Sequence, residues 1–126
     1  MNKKRSRLNQ RGFTLIEVLS VMVIMSVMTS VAVKKFDFLS DTASERALKE
    51  AVKELNIRET LTWTNIKLSS AGWQNDGAVF AEMDTDLTDY VWTAGPDASG
   101  GTLQFRSRSV ELTRTASTPL SVGSWN

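Results

Sequence analysis

The chain has 126 residues with no cysteine and no histidine, and its formal net charge is +1. This length fits one domain or less, and the missing thiols and imidazoles exclude disulfides, cysteine nucleophiles, histidine bases and the commonest zinc sites. The charge is uneven: residues 1–12 carry basic side chains and no acid, and acids outnumber bases in the remainder, which is typical of a membrane-orientation signal rather than of a nucleic-acid-binding surface.

Residues 13–33 form an apolar run in which Glu17 is the single charged side chain. As a helix this run is about 31 Å long, which matches the ~30 Å hydrocarbon core of a bilayer. The larger basic excess precedes it, which predicts a cytoplasmic N-terminal end and an outward-facing remainder. A cleaved secretory signal peptide is the alternative, but the run is longer than the apolar core of such peptides.

The predicted helix continues beyond this run, because residues 36–63 contain no glycine and no proline. Acid–base pairs at i,i+4, Glu45–Lys49 and Glu54–Arg58, predict a solvent-exposed face. Apolar residues at spacings of three and four predict a packed face that consists of Phe36, Leu39, Ala43, Leu48, Ala51, Val52, Leu55 and Ile57 or Leu61. We therefore expect one helix from residue 13 to about 62, lipid-facing in its first half and amphipathic in its second.

The rest of the chain predicts short strands joined by turns. Residues 67–77 interrupt the helical pattern with Ser, Gly, Asn and Asp. Residues 78–83 are the weakest strand candidate, and a helix is the alternative there. Alternation of apolar and polar residues predicts antiparallel strands at 90–94, 102–106 and 109–113, with a turn cluster at 94–101 and an edge segment within 116–126.

A small sheet of this kind is marginally stable alone, so the packed face of the helix is expected to cover it. The predicted fold class is α+β, with one long N-terminal helix on a small antiparallel sheet. Aromatic side chains are the natural large fillers of the layer between them, namely Trp63, Trp73, Trp92, Trp125, Phe80 and Phe105.

The stretch RGFTLIEVL, residues 11–19, resembles the prepilin cleavage and methylation motif of type IV pilins and type II secretion pseudopilins. The resemblance covers the basic leader and the apolar run, and it is specific because this combination seldom arises by chance. The remainder is similar to that family in architecture only. The resemblance implies a pilin-like chain in three segments: a leader peptide at 1–12, a transmembrane and fibre-core helix at 13–35, and a periplasmic α+β head at 36–126.

The resemblance also implies roles for three residues. A prepilin peptidase would cut between Gly12 and Phe13 on the cytoplasmic side and then N-methylate Phe13, and glycine would allow the protease a close approach to the backbone. Glu17 would pair with the Phe13 amine of a neighbouring subunit and set the axial register, because an unpaired carboxylate at this depth costs several kcal/mol. The alternative is that Glu17 reaches the headgroups or is protonated.

The implied function is structural. The chain would be a pseudopilin, a subunit of a type IV pilus-like fibre that a type II secretion system assembles; a minor type IV pilin for adhesion, twitching motility or DNA uptake is the alternative. Two departures from the family pattern argue against a major pilin. Lys34–Lys35 stand where a kinking proline is common, and the chain has no cysteine for a C-terminal disulfide.

The implied partners are other pilin or pseudopilin subunits, prepilin peptidase, an inner-membrane assembly platform and the lipid bilayer. The implied location is the bacterial inner membrane, with the N-terminus cytoplasmic and the C-terminal domain periplasmic, and after assembly the fibre would lie in the periplasm or at the cell surface. We expect no cofactor, no nucleic acid and no enzymatic activity, since the side chains present form no recognisable catalytic constellation.

Two charged stretches have weaker functional interpretations. Asp84, Asp86 and Asp89 are weak candidates for calcium ligands, but their spacing does not match the 12-residue calcium loop, and a solvated acidic turn is the expectation. Arg106 and Arg108 are expected on the wet face of the sheet, with contact to an anionic partner as the alternative.

Overall fold

A computed structural model describes Gly12 and residues 14–126, so the predictions for residues 1–11 and for Phe13 lie outside the described residues. The chain divides between Phe38 and Leu39 into two compact units. The described elements are helices α1 (Leu15–Leu68) and α2 (Asp76–Glu82) and strands β1 (Val91–Asp97), β2 (Gly100–Phe105), β3 (Arg108–Thr115) and β4 (Ser124–Trp125).

In the first unit, α1 is exposed on all sides. Every described side chain from Thr14 to Phe38 is exposed. The hydroxyls of Ser20, Ser26 and Thr29 donate to backbone carbonyls four residues earlier, so these polar groups are satisfied within the helix, as a lipid environment requires. Among the described residues, α1 is the one helix long and apolar enough to cross a membrane.

Helix α1 ends at Leu68 and is therefore longer than the sequence predicts. Threonines near residue 62 are weak helix formers, but contacts with a distant part of the chain hold the last turns. Trp63 Nε1 donates to the Thr118 carbonyl at 3.0 Å, and Lys67 Nζ donates to the Pro119 carbonyl at 2.6 Å. Such tertiary contacts override local propensity, which is the only signal that a single sequence offers here.

Helix α2 contains most of residues 78–83, so the strand prediction is wrong there and the helical alternative is correct. The Asn75 side chain caps α2 by accepting a hydrogen bond from the Ala78 N–H at 2.8 Å. Asp76 places a negative charge in the first turn, where it interacts favourably with the helix dipole. Val79 is fully buried and is the side chain of α2 that faces the interior of the second unit.

The four strands form one antiparallel sheet in the order β1-β2-β3-β4. In the first hairpin, Asp97 pairs with Gly100, so the turn consists of residues 98–99 and the strands extend into the predicted turn cluster. β2 pairs with β3 through all of its residues. β4 pairs with the end of β3, which confirms the predicted edge segment.

The core of the second unit lies between α1 and the sheet. Leu48, Ala51 and Leu55 project from α1 into a cluster that also contains Met83, Leu87, Leu103, Leu112 and Trp125. Of the six predicted aromatic fillers, Trp125 is fully buried, and Phe80, Trp92 and Phe105 are half-buried against the core cluster. Trp63 and Trp73 are half-buried outside it and contact Thr118 and Ser117. This long helix packed on a four-stranded antiparallel sheet is the pilin-like α+β fold that the sequence predicts.

The predicted apolar stripe of α1 mixes two opposite faces of the helix. Leu48, Ala51 and Leu55 are buried, whereas the exposed members are Phe36, Leu39, Ala43, Ile57 and Leu61. At about 100° per residue, the five-residue step from Ala43 to Leu48 turns the row by roughly 140°, which transfers it to the other face. Apolar character alone therefore does not identify the packed face.

A buried ion pair interrupts the apolar core. The Glu59 and Arg114 side chains are both fully buried. Arg114 donates to both carboxylate oxygens of Glu59, from Nε to Oε2 at 3.0 Å and from Nη2 to Oε1 at 2.5 Å, and Trp125 Nε1 donates to Oε2 at 3.1 Å. Either charge alone would be strongly unfavourable at this depth, so each side chain requires the other.

Asp76 extends this pair to α2. Its carboxylate accepts from Arg114 Nη1 at 2.7 Å and Nη2 at 2.8 Å, and from the Ser117 N–H at 2.6 Å. Mainly because of the bonds from Arg114, the pKa of Asp76 falls from 3.8 to about 2. Burial lowers the pKa of Arg114, but the bonds to Asp76 and Glu59 outweigh it and raise that pKa overall. One guanidinium thus joins α1, α2 and β3.

Candidate assembly site

The described part of the candidate site begins immediately ahead of α1. Gly12 is exposed, and a Cβ added to it would have no atom within 4 Å. The open space around this glycine is compatible with the close approach that cleavage of the backbone requires. Phe13, the other residue of the predicted cleavage bond, lies outside the described residues.

Thr14 and Glu17 bond to each other across the first turn of α1. Glu17 Oε2 accepts from the Thr14 N–H at 3.1 Å, and Thr14 Oγ1 accepts from the Glu17 N–H at 3.3 Å. These two bonds form a reciprocal capping box, which satisfies N–H groups that have no partner at the start of a helix. The carboxylate is thereby held at the N-terminal end of the helix, where the helix dipole also favours a negative charge.

An apolar depression lies beside this carboxylate. Its volume is about 290 Å³, and its lining residues are Glu17, Val18, Val21 and Met22. In the part of the chain that the structure describes, no ion pair involves Glu17. The site therefore offers an exposed negative charge next to an apolar surface, a combination that suits a cationic group attached to an apolar segment.

Comparison with known protein families gives this site a specific interpretation. Residues 7–33 match the family described as the prokaryotic N-terminal methylation motif. The chain carries a prepilin-type cleavage and methylation motif. The match covers about a fifth of the chain and includes all three predicted site residues, Gly12, Phe13 and Glu17. A search of curated proteins and a search of solved structures each find no match.

The methylation motif confirms the resemblance that the sequence shows. It indicates a member of the type IV pilins and pseudopilins, which are typically structural and non-enzymatic. It also indicates processing by prepilin peptidase and assembly with pilin subunits. Together with the apolar half of α1, the motif is consistent with an inner-membrane prepilin.

The structure does not gather the three aspartates of the weak calcium prediction. Among the described residues, no three His, Cys, Asp or Glu side chains lie close enough to hold a metal ion. Instead Arg58 Nη1 donates to the carbonyls of Asp84 at 3.2 Å and Asp86 at 2.7 Å, and pairs with the Asp84 carboxylate at 3.3 Å. The loop thus receives positive charge from a side chain of the protein itself.

The two arginines near the second hairpin lie at the surface. Arg106 has a positive φ of 54° between β2 and β3, and its guanidinium lies 5.5 Å from the centre of the Phe105 ring. Arg108 pairs with Asp41 of α1 at 3.6 Å. Both positions are exposed. Arg108, however, shares the alternation of Val110 and Leu112 and faces α1, so the prediction of the wet face of the sheet is wrong for it.

Thr14 is the residue of this site to which sequence analysis assigns no role. The signal was nevertheless available, because Thr14 and Glu17 form the Thr-x-x-Glu pattern of a capping box directly ahead of an apolar helix. The buried pair of Glu59 and Arg114 was also missed. Arg114 continues the inward-facing alternation of Val110 and Leu112 along β3, which places it on the core side.

Proposed function

We propose that this chain is a pseudopilin, a structural subunit of a type IV pilus-like fibre in a type II secretion system. It enters the inner membrane with its N-terminus in the cytoplasm and residues 36–126 in the periplasm. Prepilin peptidase removes residues 1–12 and methylates the new N-terminus at Phe13. An assembly platform in the inner membrane then moves the subunit from the bilayer into the fibre.

The observation that carries this proposal is the position of one acid within the methylation motif. Glu17 is the only charged residue between Phe13 and Lys34, and its exposed carboxylate lies in the first turn of α1. A lone carboxylate in lipid is unfavourable by several kcal/mol unless it acquires a partner. Cleavage after Gly12 creates a suitable partner, because the amine of Phe13 on a neighbouring subunit is cationic.

The capping box determines how this pairing would act. With Glu17 Oε2 already bonded to the Thr14 N–H, the carboxylate is fixed in one orientation before a neighbour arrives. A fixed charge at one height on the helix gives each incoming subunit a single favourable axial position. The apolar depression at Val18, Val21 and Met22 can accept part of the neighbour's apolar segment at the same time.

Cleavage would also change how firmly the helix is held in the membrane. The leader contains five basic side chains, Lys3, Lys4, Arg5, Arg7 and Arg11, which oppose passage of the N-terminus through the bilayer. After their removal, Glu17 and the new amine are the charges that remain at the cytoplasmic end. Extraction towards the periplasm then costs less, as movement into a fibre requires.

Two features of the sequence support a pseudopilin over a major pilus subunit. Lys34–Lys35 stand where a kinking proline is common in major pilins, and the chain has no cysteine for a C-terminal disulfide. A minor type IV pilin shares both features and remains the second candidate. Deleting the secretion machinery or the pilus machinery separately, and measuring which deletion removes the chain from sheared fibres, distinguishes the two.

The test of the proposal is the intact mass and N-terminal residue of the membrane-extracted protein, from cells with and without prepilin peptidase. We expect a chain that begins at N-methylated Phe13 only when the peptidase is present. A Gly12→Leu variant should keep its leader in both strains, because its side chain blocks close approach of the protease. A leader retained by the unaltered chain in peptidase-positive cells would contradict the proposal.

A further inference from the structure

The loop between α2 and β1, residues 83–90, is anchored in the core by Met83 and Leu87 and exposes its three acids. It contains Asp84, Asp86 and Asp89 and no basic residue. Asp84 pairs with Arg58, but no ion pair among the described residues involves Asp86 or Asp89. Val91, at the start of edge strand β1 and directly beyond this acidic loop, is an exposed apolar side chain. Unpaired acids beside an exposed valine form a surface that a basic, partly apolar partner would fit.

A groove of the opposite character lies between α1 and the second hairpin. Its volume is about 300 Å³, and its apolar lining consists of Leu48, Val52 and Val110. Glu45 also lines this groove, but the two bases Lys49 and Arg108 outnumber it and leave the charged lining net positive. They pair with Glu45 at 3.3 Å and Asp41 at 3.6 Å, but such exposed pairs contribute little, so exchanging those partners for others costs little.

The acidic loop and this basic groove lie on opposite flanks of α1. The loop is attached along one row of the helix, because Arg58 binds its carbonyls and the Tyr90 hydroxyl donates to the Ala47 carbonyl at 2.7 Å. The groove uses the row of Lys49 and Val52. At about 100° per residue, positions 47 and 58 lie roughly 180° around the helix from positions 45, 49 and 52.

We propose that the acidic loop of one copy docks into the basic groove of the next copy in the fibre. Asp89 of the first copy pairs with Arg108 and Lys49 of the second, and Val91 covers Val52 and Val110. Complementary charge selects the second copy as the occupant, because the chain supplies both the acids and the bases of the contact. This inference rests on the proposed fibre function.

The position of the two surfaces also determines the kind of assembly. Because they lie on opposite flanks, one copy can contact two neighbours at once through different surfaces. Contacts of this heterologous type produce open, helical assemblies unless the rotation between copies closes a ring. Charge pairs at the rim of such a contact mainly determine which partner is accepted and in which register.

Disulfide trapping in the assembled fibre tests the contact directly. The full-length chain has no cysteine, so every disulfide must come from an introduced residue. Two differently tagged copies are expressed together, one with Asp89→Cys and the other with Arg108→Cys, and fibres are sheared and mildly oxidised. We expect a covalent dimer that carries both tags. Its yield should exceed the yield of any covalent dimer from either variant expressed alone by at least about tenfold, because a disulfide requires Cα atoms within ~7 Å.

A matched control uses the exposed acid Glu111 of β3. Replacing Asp89→Cys by Glu111→Cys should abolish the mixed dimer, since Glu111 lies outside the acidic loop. Two results would overturn the inference and leave the proposed function standing. One is intact fibres without a mixed dimer, and the other is a disulfide from Asp89→Cys to a different pilin-like protein. A chain that retains its leader would overturn both.

Charge exchange provides a second test that needs no cysteine. Asp89→Arg and Arg108→Asp should each lower the amount of subunit in sheared fibres by about tenfold or more, because each places like charges together. The double variant should recover most of the loss. Equal effects of single and double variants, with normal processing and protein level in the membrane, would overturn the inference.

Discussion

The carboxylate of Glu59 binds three side-chain donor atoms from two distant parts of the chain, Arg114 and Trp125. Removing Arg114 leaves Glu59 buried without a cationic partner, which costs more than the pair itself contributes, whereas removing Glu59 still leaves Arg114 paired with Asp76. The same reasoning applies at a different depth to Glu17, whose charge requires a partner wherever water is absent. Glu59 in the core and Glu17 in the apolar part of α1 each restrict packing to arrangements that bring a cationic partner to the carboxylate.

For Glu59→Gln, we expect a loss of about 1–3 kcal/mol in the free energy of unfolding, because the buried Arg114 keeps its charge and retains only Asp76 as a carboxylate partner. Equilibrium urea unfolding of the detergent-solubilised chain, followed by tryptophan fluorescence, measures this loss. Glu54→Gln is the matched control, since its partner Arg58 is partly exposed, and it should change stability by less than about 1 kcal/mol. Similar losses for both variants would contradict a buried role for Glu59.

Glu17→Gln separates charge from helix capping. The amide can still accept a hydrogen bond from the Thr14 N–H, so α1 should begin as before, but the pair with a neighbouring amine loses its charge. We expect normal processing at Gly12 and at least a tenfold drop, about 1.4 kcal/mol, in the subunit recovered from sheared fibres. Thr14→Ser keeps the capping hydroxyl and should assemble normally. Normal assembly of Glu17→Gln would show that capping, not charge, is what Glu17 supplies.

At the scale of elements, α1 presents different chemistry on its two sides. Leu55 is fully buried, whereas Ile57, two residues later, is 56% exposed. Both belong to the stripe that the sequence predicts, because apolar identity and local spacing are the same for the two. They differ because the sheet covers the side of α1 that carries Leu55 and not the side that carries Ile57. The sheet is formed by residues 91–125, so the sequence near residue 55 does not indicate which side it covers.

The pair Leu55→Ala and Ile57→Ala tests this assignment of faces. Leu55→Ala should cost about 2–5 kcal/mol, because it leaves a cavity in the core, and Ile57→Ala should cost less than about 1 kcal/mol. Shifts of the urea midpoint for the two variants, with unchanged slope, provide the measurement. Equal costs would mean that the second half of α1 is covered on both sides.

The sequence predicts the elements that depend on local pattern and misses those that depend on distant contacts. The apolar run and the hairpin strands are readable from composition and periodicity, and the cleavage motif is recognised by its resemblance to the prepilin family. The true end of α1 depends on Trp63 and Lys67 binding residues 118–119, and the position of Arg114 inside the core depends on Glu59 and Asp76. These partners lie 38 to 55 residues apart, and the local sequence does not specify such pairings, so a single sequence leaves them open.

At the scale of the whole molecule, Asp76 makes the free energy of unfolding depend on pH. Its pKa is about 2 in the folded chain and 3.8 ordinarily, so its contribution of about 2 kcal/mol is complete above pH ~5 and is lost as the pH falls towards 2. The stability difference between the unaltered chain and Asp76→Asn should therefore shrink between pH 5 and pH ~2. Urea midpoints across this range measure it, and a constant difference would contradict the assignment.

The partners of Glu59 lie 55 and 66 residues further along the chain, at Arg114 and Trp125. For a subunit inserted as proposed, Glu59 reaches the periplasm while those residues are still in the translocation channel. A core that buries an unpaired Glu59 carboxylate is unfavourable. The emerging chain therefore stays unfolded until nearly all of it has crossed the membrane. We therefore expect the head to fold around Glu59 only after Arg114 and Trp125 have been exported.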